Sequence, residues 1–139
     1  ENSGSAQFCK NGAIEVACIF IRVGKLDNRL ASIEKEKIKD LLLKRFDLDR
    51  HVLNSILTEA EEMESSINDN VQLTKKIKEH INFEERFDLL KDIWEIILAD
   101  KIKTDEEESY MRLLCNLLGL SDKDNALARK DVLKANEKK

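Results

Sequence analysis

Apolar residues recur every three to four positions through most of the chain, which is the spacing of one face of an α-helix. Seven such segments follow one another. The first, from about Gly12 to Lys25, is apolar nearly all round, and the segment that begins after Asn82 is the second strongly apolar one. Because a helix that is apolar on all sides is buried, we expect the first and fifth helices to pack against each other at the centre.

Polar residues between these segments mark where the helices begin and end. Residues that favour the N-cap position precede the second to the seventh segment: Ser32, Asp49, Asp69 or Asn70, Asn82, Thr104 and Ser121. Residues 65–70 are expected to form a polar connection. Gly119 follows the sixth segment at the position favoured for a left-handed C-cap. The pattern therefore predicts an all-α fold, a compact bundle of about seven helices.

The composition supports this fold class and narrows the function. The chain has 139 residues, a size typical of one domain, with no proline and only four glycines. The net charge is −4, and lysines and acids are interspersed. Aromatic residues make up only 5% of the chain, whereas a nucleic-acid groove needs clustered basic residues and often stacking aromatics. The sequence thus favours a protein partner and no nucleic acid.

The termini and the longest apolar run bear on localisation. Residues 1–10 are expected to be a flexible N-terminal segment, and residues 11–139 a single helical domain. The apolar run from Ala13 to Val23 is interrupted by Glu15 and Arg22 and is too short to span a bilayer. We therefore expect a cytoplasmic protein, with membrane contact only at the periphery or through an anchor outside this sequence.

The three cysteines form no metal-binding pair. Cys9, Cys18 and Cys115 are far apart in sequence and odd in number, and the last two fall in apolar segments. We expect reduced, buried thiols, with a reactive thiol as the alternative.

An internal repeat organises the chain. Residues 22–28 match residues 95–101. Each copy contains the end of an apolar helix and an aspartate at that end, Asp27 or Asp100. A glutamate, Glu34 or Glu107, follows each aspartate after seven positions, in the first turn of the next helix. The match predicts two halves, about 13–66 and 82–135, related by a pseudo-twofold axis.

The second half carries motifs of a known family. Residues 98–102 read Leu-Ala-Asp-Lys-Ile, and residues 117–121 read Leu-Leu-Gly-Leu-Ser. These resemble the loop Ala-x-Ala-Asp-Gly-x-Ile and the closing Leu-Leu-Gly-Leu-Ser of the tellurite-resistance TerB family. The resemblance covers roughly residues 13–133. It departs where the family has a glycine after each aspartate, since this chain has Asn28 and Lys101.

The repeated aspartates stand at helix C-termini, where the helix dipole disfavours an acid by about 0.3–1 kcal/mol. Capping or ion pairing is one explanation: Thr104 and Glu107 have capping-box spacing, and Arg29 and Lys101 are near in sequence. The other is a divalent cation held by oxygen ligands. The resemblance implies such a metal role, with Ca²⁺ or Mg²⁺ bound by Asp27, Glu34, Asp100 and Glu107.

The resemblance also implies what the domain does. It suggests a non-enzymatic interaction or sensing module of the tellurite-resistance and stress-response kind. Two alternatives remain open from the sequence. The four carboxylates could converge on a metal-dependent hydrolytic site, or the domain could be purely structural, a scaffold within a larger protein.

Overall fold

The computed structural model describes residues 12–26, 32–66, 69–99 and 105–137, without the side chains of residues 32–34 and 136–137. All the secondary structure in these ranges is helical, apart from turns, as the apolar spacing predicts. The seven α-helices are α1 (Ala13–Gly24), α2 (Ser32–Arg45), α3 (Arg50–Ser66), α4 (Asn70–His80), α5 (Phe83–Ala99), α6 (Asp105–Leu117) and α7 (Asp122–Glu137).

Side-chain caps fix the starts of α3 and α4, as predicted. The Asp49 carboxylate accepts a hydrogen bond from the Val52 amide at 2.8 Å. Asp69, rather than Asn70, caps α4 by accepting from the Val71 amide at 2.9 Å. Each cap satisfies a backbone donor that has no partner within its own helix. Thr104, the predicted cap of α6, lies outside the described residues.

Reciprocal capping boxes start α5 and α7. Asn82 accepts from the Glu85 amide at 2.9 Å, and the Glu85 carboxylate accepts from the Asn82 amide at 3.1 Å. Ser121 and Asp124 repeat this exchange at 3.1 and 3.0 Å. The exchange satisfies two backbone donors at each helix start, which confirms both predicted caps.

The end of α6 confirms the predicted left-handed cap. Gly119 has φ of +79°, a conformation that a side chain disfavours. The Gly119 amide donates to the Asn116 carbonyl at 3.1 Å, and the Leu120 amide to the Cys115 carbonyl at 2.9 Å. These two bonds form a Schellman motif, which turns the chain sharply into α7.

One boundary differs from the sequence prediction. Ser65 and Ser66, expected in a polar connection, complete the last turn of α3. Their hydroxyls donate to the carbonyls of Glu61 at 2.7 Å and Met63 at 3.2 Å. Serine hydroxyls can bond back to the preceding turn in this way, so a run of polar residues did not by itself end the helix.

The first and fifth helices lie at the centre, as their composition predicts. Most side chains of α1 are buried, and α5 contributes Leu89, Leu90, Ile93 and Ile97 to the same core. α1 packs against α2, α3 and α5, and α5 in turn packs against α2 and α7. No helix in the described ranges is long and apolar enough to cross a membrane.

The two halves are alike in their strongest packing and differ elsewhere. α1 packs most extensively on α3, and α5 does so on α7. The helix that follows each central one is placed differently: α2 packs against α1 and α5, whereas α6 packs chiefly against α7 and α4. α4 lies between the halves in sequence and contacts α1 and α6. The strongest packing pairs, α1 with α3 and α5 with α7, therefore correspond between the halves. The neighbours of α2 and α6 do not.

Candidate functional site

Glu107 is the one predicted metal ligand whose side chain the structure describes. It lies in the first turn of α6 and is 1% exposed, while Asp105 and Glu106 before it are exposed. Its carboxylate has a partner and is not free. A buried carboxylate is costly unless it is paired or hydrogen-bonded. Glu107 therefore needs a partner, whereas an acid at an ordinary solvated helix start does not.

The other three predicted ligands fall outside the description. Asp27 and Asp100 lie in undescribed segments, and Glu34 lies in α2 without a described side chain. Within the ranges that are described, no group of three or more His, Cys, Asp or Glu side chains could hold a metal ion. The loop acids therefore remain a prediction.

The helices that carry the two glutamates nevertheless begin at equivalent points of the repeat. α2 begins five residues after Asp27, at Ser32, and α6 begins five residues after Asp100, at Asp105. Glu34 and Glu107 consequently occupy the same turn of their respective helices. The repeat of two halves remains a prediction from the sequence.

A polar network holds the C-terminal end of α1, next to the Asp27 loop in sequence. The Arg22 guanidinium donates to the Asn70 side-chain oxygen at 2.8 Å, to the Glu64 carboxylate at 3.3 Å and to the Glu64 carbonyl at 3.1 Å. Lys25 adds an ion pair to Glu64 at 3.0 Å. Two basic residues at this helix end also complement its dipole.

Tyr110 ties α6 to the same network. Its hydroxyl donates to the Asn70 side-chain oxygen at 3.0 Å, so that one amide oxygen accepts from both Tyr110 and Arg22. Burial raises the pKa of Tyr110, which keeps its hydroxyl protonated as a donor. The network thereby links α1, α3, α4 and α6 beside the start of α6, where Glu107 lies.

A second polar contact lies inside the core and was missed by the sequence analysis. The Arg45 guanidinium at the end of α2 holds both carboxylate oxygens of Asp92 on α5, at 2.7 and 3.0 Å. The Asp92 side chain is 1% exposed and that of Arg45 is 6% exposed. A sequence signal exists, because Asp92 interrupts an apolar stripe at helical spacing between Leu89 and Ile96.

The described cysteines are buried thiols, as expected. Burial raises the pKa of both Cys18 and Cys115 to about 11, so neither forms a thiolate readily near neutral pH. The Cys115 thiol donates to the Ser121 carbonyl at 3.1 Å, beside the cap of α7. Cys9 lies outside the described residues.

These features define a class of protein: an all-helical domain built from a duplicated helical unit, with buried polar contacts between its helices. The family model described as "Tellurite resistance protein TerB" matches residues 13–130, which is most of the chain. The chain belongs to the TerB family. Neither a search of curated proteins nor a search of solved structures returned a match.

Proposed function

We propose that this TerB-family domain is a non-enzymatic interaction module of the tellurite-resistance and stress-response kind, and that a divalent cation tunes its surface. The ligands would be Asp27, Glu34, Asp100 and Glu107, with Ca²⁺ or Mg²⁺ as the ion. The observation that supports this most is the buried carboxylate of Glu107, in the helical turn that the repeat pairs with Glu34.

Local electrostatics support a cation near the second loop. α5 ends at Ala99 and has no basic residue in its last turn, and Asp100 follows it directly. The first turn of α6 then carries Asp105, Glu106, Glu107 and Glu108. A helix N-terminus favours such acids individually, but a helix C-terminus lies beside Asp100, and residues 100–108 contain five acids against Lys101 and Lys103. A hard divalent cation with oxygen ligands would offset that charge.

Thermal unfolding with and without metal tests the proposal. At a free metal concentration near 100 times the dissociation constant, a cation bound only by the folded state stabilises it by about 2.7 kcal/mol. For a domain of this size that raises the midpoint by roughly 10 °C. We expect Asp27→Asn, Asp100→Asn and Glu107→Gln to reduce this rise. Asp105→Asn, which changes an exposed acid in the same turn as Glu107, is the matched control.

A titration followed by amide NMR locates the effect. Binding should shift amide signals around residues 27–34 and 100–107 and saturate with added Ca²⁺ or Mg²⁺. An unchanged midpoint with either metal, together with shifts no larger in the wild-type protein than in Asp100→Asn, would show that the cation part is wrong. The assignment to the TerB family does not depend on that result.

A further inference from the structure

A polar pocket lies among α5, α6 and α7, in the second half of the domain. Its volume is about 390 Å³, which is large enough for a small metabolite. Besides Ala126, its lining consists of one aromatic and five polar or charged side chains: Trp94, Glu108, Arg112, Asp122, Asn125 and Arg129. None of these is a proposed metal ligand, although Glu108 directly follows Glu107 in α6.

Arg129 carries an unused hydrogen-bond donor at this pocket. Its guanidinium lies over the Trp94 ring, 5.7 Å from the ring centroid. Its Nε atom is buried and finds no hydrogen-bond acceptor in the structure described. A buried donor without an acceptor is costly, and the cost is greater for a charged group. Because Nε is shielded from solvent, a ligand carboxylate would remove that cost once the Arg129 guanidinium turns toward the pocket.

Two more donors line the same pocket. The indole Nε1–H of Trp94 donates to the side-chain oxygen of Asn125 at 2.9 Å, which leaves the amide nitrogen of Asn125 as a donor. Arg112 is exposed and, among the described residues, makes no ion pair or hydrogen bond with its side chain. Guanidinium and amide donors together match the two oxygens of a carboxylate.

Acids in the lining restrict what such a ligand can be. Glu108 and Asp122 place carboxylates beside the two arginines, and Glu108 already has an interaction partner. Asp122 is exposed, and within the described ranges its carboxylate forms no ion pair or hydrogen bond. A ligand with only negative charge would be repelled by these acids, and one with only positive charge by the arginines. A ligand with both charges is complementary to the whole lining.

We propose that this pocket binds a small zwitterion of the amino-acid class. Its carboxylate would accept from Arg129, Asn125 and Arg112, and its ammonium group would face Asp122. Trp94 contacts Arg129 through its ring face and orients Asn125 through the indole hydrogen bond. The indole hydrogen bond therefore orients the Asn125 donor before a ligand arrives, which lowers the entropic cost of binding.

Trp94 provides the measurement, because it is the only tryptophan in the chain. Its indole N–H signal in NMR spectra and its fluorescence both report on this pocket and on the core behind it. The probes are L-alanine, propionate, which lacks the ammonium group, and ethylamine, which lacks the carboxylate. We expect saturable changes with L-alanine at millimolar concentrations, and binding of the two single-charge probes that is at least several-fold weaker.

Variants test the contacts to the ligand's carboxylate and to its ammonium group separately. Arg129→Gln should weaken L-alanine binding by about tenfold or more, because it removes a charged donor. Arg129→Lys keeps the charge without the Nε donor and should fall between. Lys130→Gln, which removes an exposed positive charge from the neighbouring position on α7, should bind as the wild-type protein does. Asp122→Asn should bring the affinities for L-alanine and propionate together.

The wild-type titrations decide the matter even if a variant misfolds. The absence of a saturable Trp94 response to L-alanine up to about 50 mM, well above the millimolar range expected for so small a ligand, would overturn the proposal. A response to propionate or inorganic phosphate as strong as that to L-alanine would also overturn it, since the zwitterion would then have no advantage.

Discussion

Replacing Arg45 with methionine tests how the core tolerates its buried ion pair. Methionine is about as long as the aliphatic part of arginine, and it removes the positive charge that faces Asp92. The Asp92 carboxyl, buried to 1% exposure, would then lack the guanidinium that holds both its oxygens. An ionised carboxylate cannot remain alone in such surroundings, so we expect it to take up a proton instead.

The pKa of Asp92 gives the magnitude. Burial raises this pKa from 3.8 to about 6, while Arg45 acts in the opposite direction. An acid whose pKa is raised by folding contributes stability below its unfolded pKa, and that contribution is lost as the pH rises through the folded pKa. In the wild-type protein the loss is complete soon above pH 6. Without Arg45 the pKa of Asp92 is higher still, so the loss continues.

The variant should therefore become progressively less stable than the wild-type protein above pH 6. Each further pH unit adds about 1.4 kcal/mol, until the pH reaches the new pKa. For a new pKa above 7.5, this amounts to about 2 kcal/mol at pH 7.5, or a midpoint lower by roughly 7 °C. Near pH 5 Asp92 is neutral in both proteins, and the pH-dependent difference should vanish. Urea unfolding at pH 5.0, 6.5 and 7.5 measures these differences.

A second ion pair between the same two helices is the control. Lys37 and Glu95 also join α2 to α5, at 3.0 Å, but their side chains are 30% and 25% exposed. Lys37→Met should cost at most about 1 kcal/mol, with little dependence on pH over this range. The double variant Arg45→Met/Asp92→Leu should regain stability at pH 7.5, because neither position then leaves an unpaired charge in the core. If Arg45→Met costs the same at pH 5.0 and 7.5, this account of Asp92 is wrong.

Two further predictions concern the end of α6 and the cysteines. Gly119→Ala should lower the free energy of unfolding by about 1 kcal/mol, because φ is +79° while the added Cβ would meet only the Arg86 guanidinium at 3.6 Å. Gly119→Asn should cost less in the same denaturation experiment, and equal stability of all three proteins would contradict the left-handed cap. In a Cys9→Ser variant, a disulfide reagent should label Cys18 and Cys115 slowly when the protein is folded and rapidly in denaturant, because both thiols are buried with pKa values near 11. Rapid labelling of the folded variant would favour the reactive-thiol alternative.

The parts of the fold that depend on neighbouring residues could be predicted from the sequence. Caps such as Asp49, Asn82 and Ser121 act within three positions of themselves, and Gly119 closes a single helical turn. The spacing of apolar residues likewise identified both central helices, because α1 is apolar on nearly all sides and α5 has a dense apolar stripe. The exception at Ser65 and Ser66 has the same local origin, since serine can either end a helix or bond back into it.

Contacts between distant polar residues could not be predicted in this way. Asp92 stands out in its apolar stripe, but nothing in the spacing indicates that Arg45, 47 positions earlier, is its partner. The same holds for Asn70, whose side-chain oxygen accepts from both Arg22 and Tyr110. Each of these contacts depends on how whole helices pack, and the packing of α2 and α6 is where the two halves differ.

The same difference between the halves bears on how the proposed cation would bind. The last turns of α1 contain Arg22, and Lys25 follows, so the helix end before Asp27 has two positive charges against one Glu64. The last turn of α5 has no basic residue, and Glu95, one turn earlier, is already paired with Lys37. Arg22 and Lys25 thus partly balance the negative charge near the first loop. Near the second loop, Lys101 is the nearest basic residue in sequence to Asp100. Although the two aspartates are equivalent in the repeat, their surroundings are not, so Asp100→Asn should reduce any stabilisation by metal more than Asp27→Asn does.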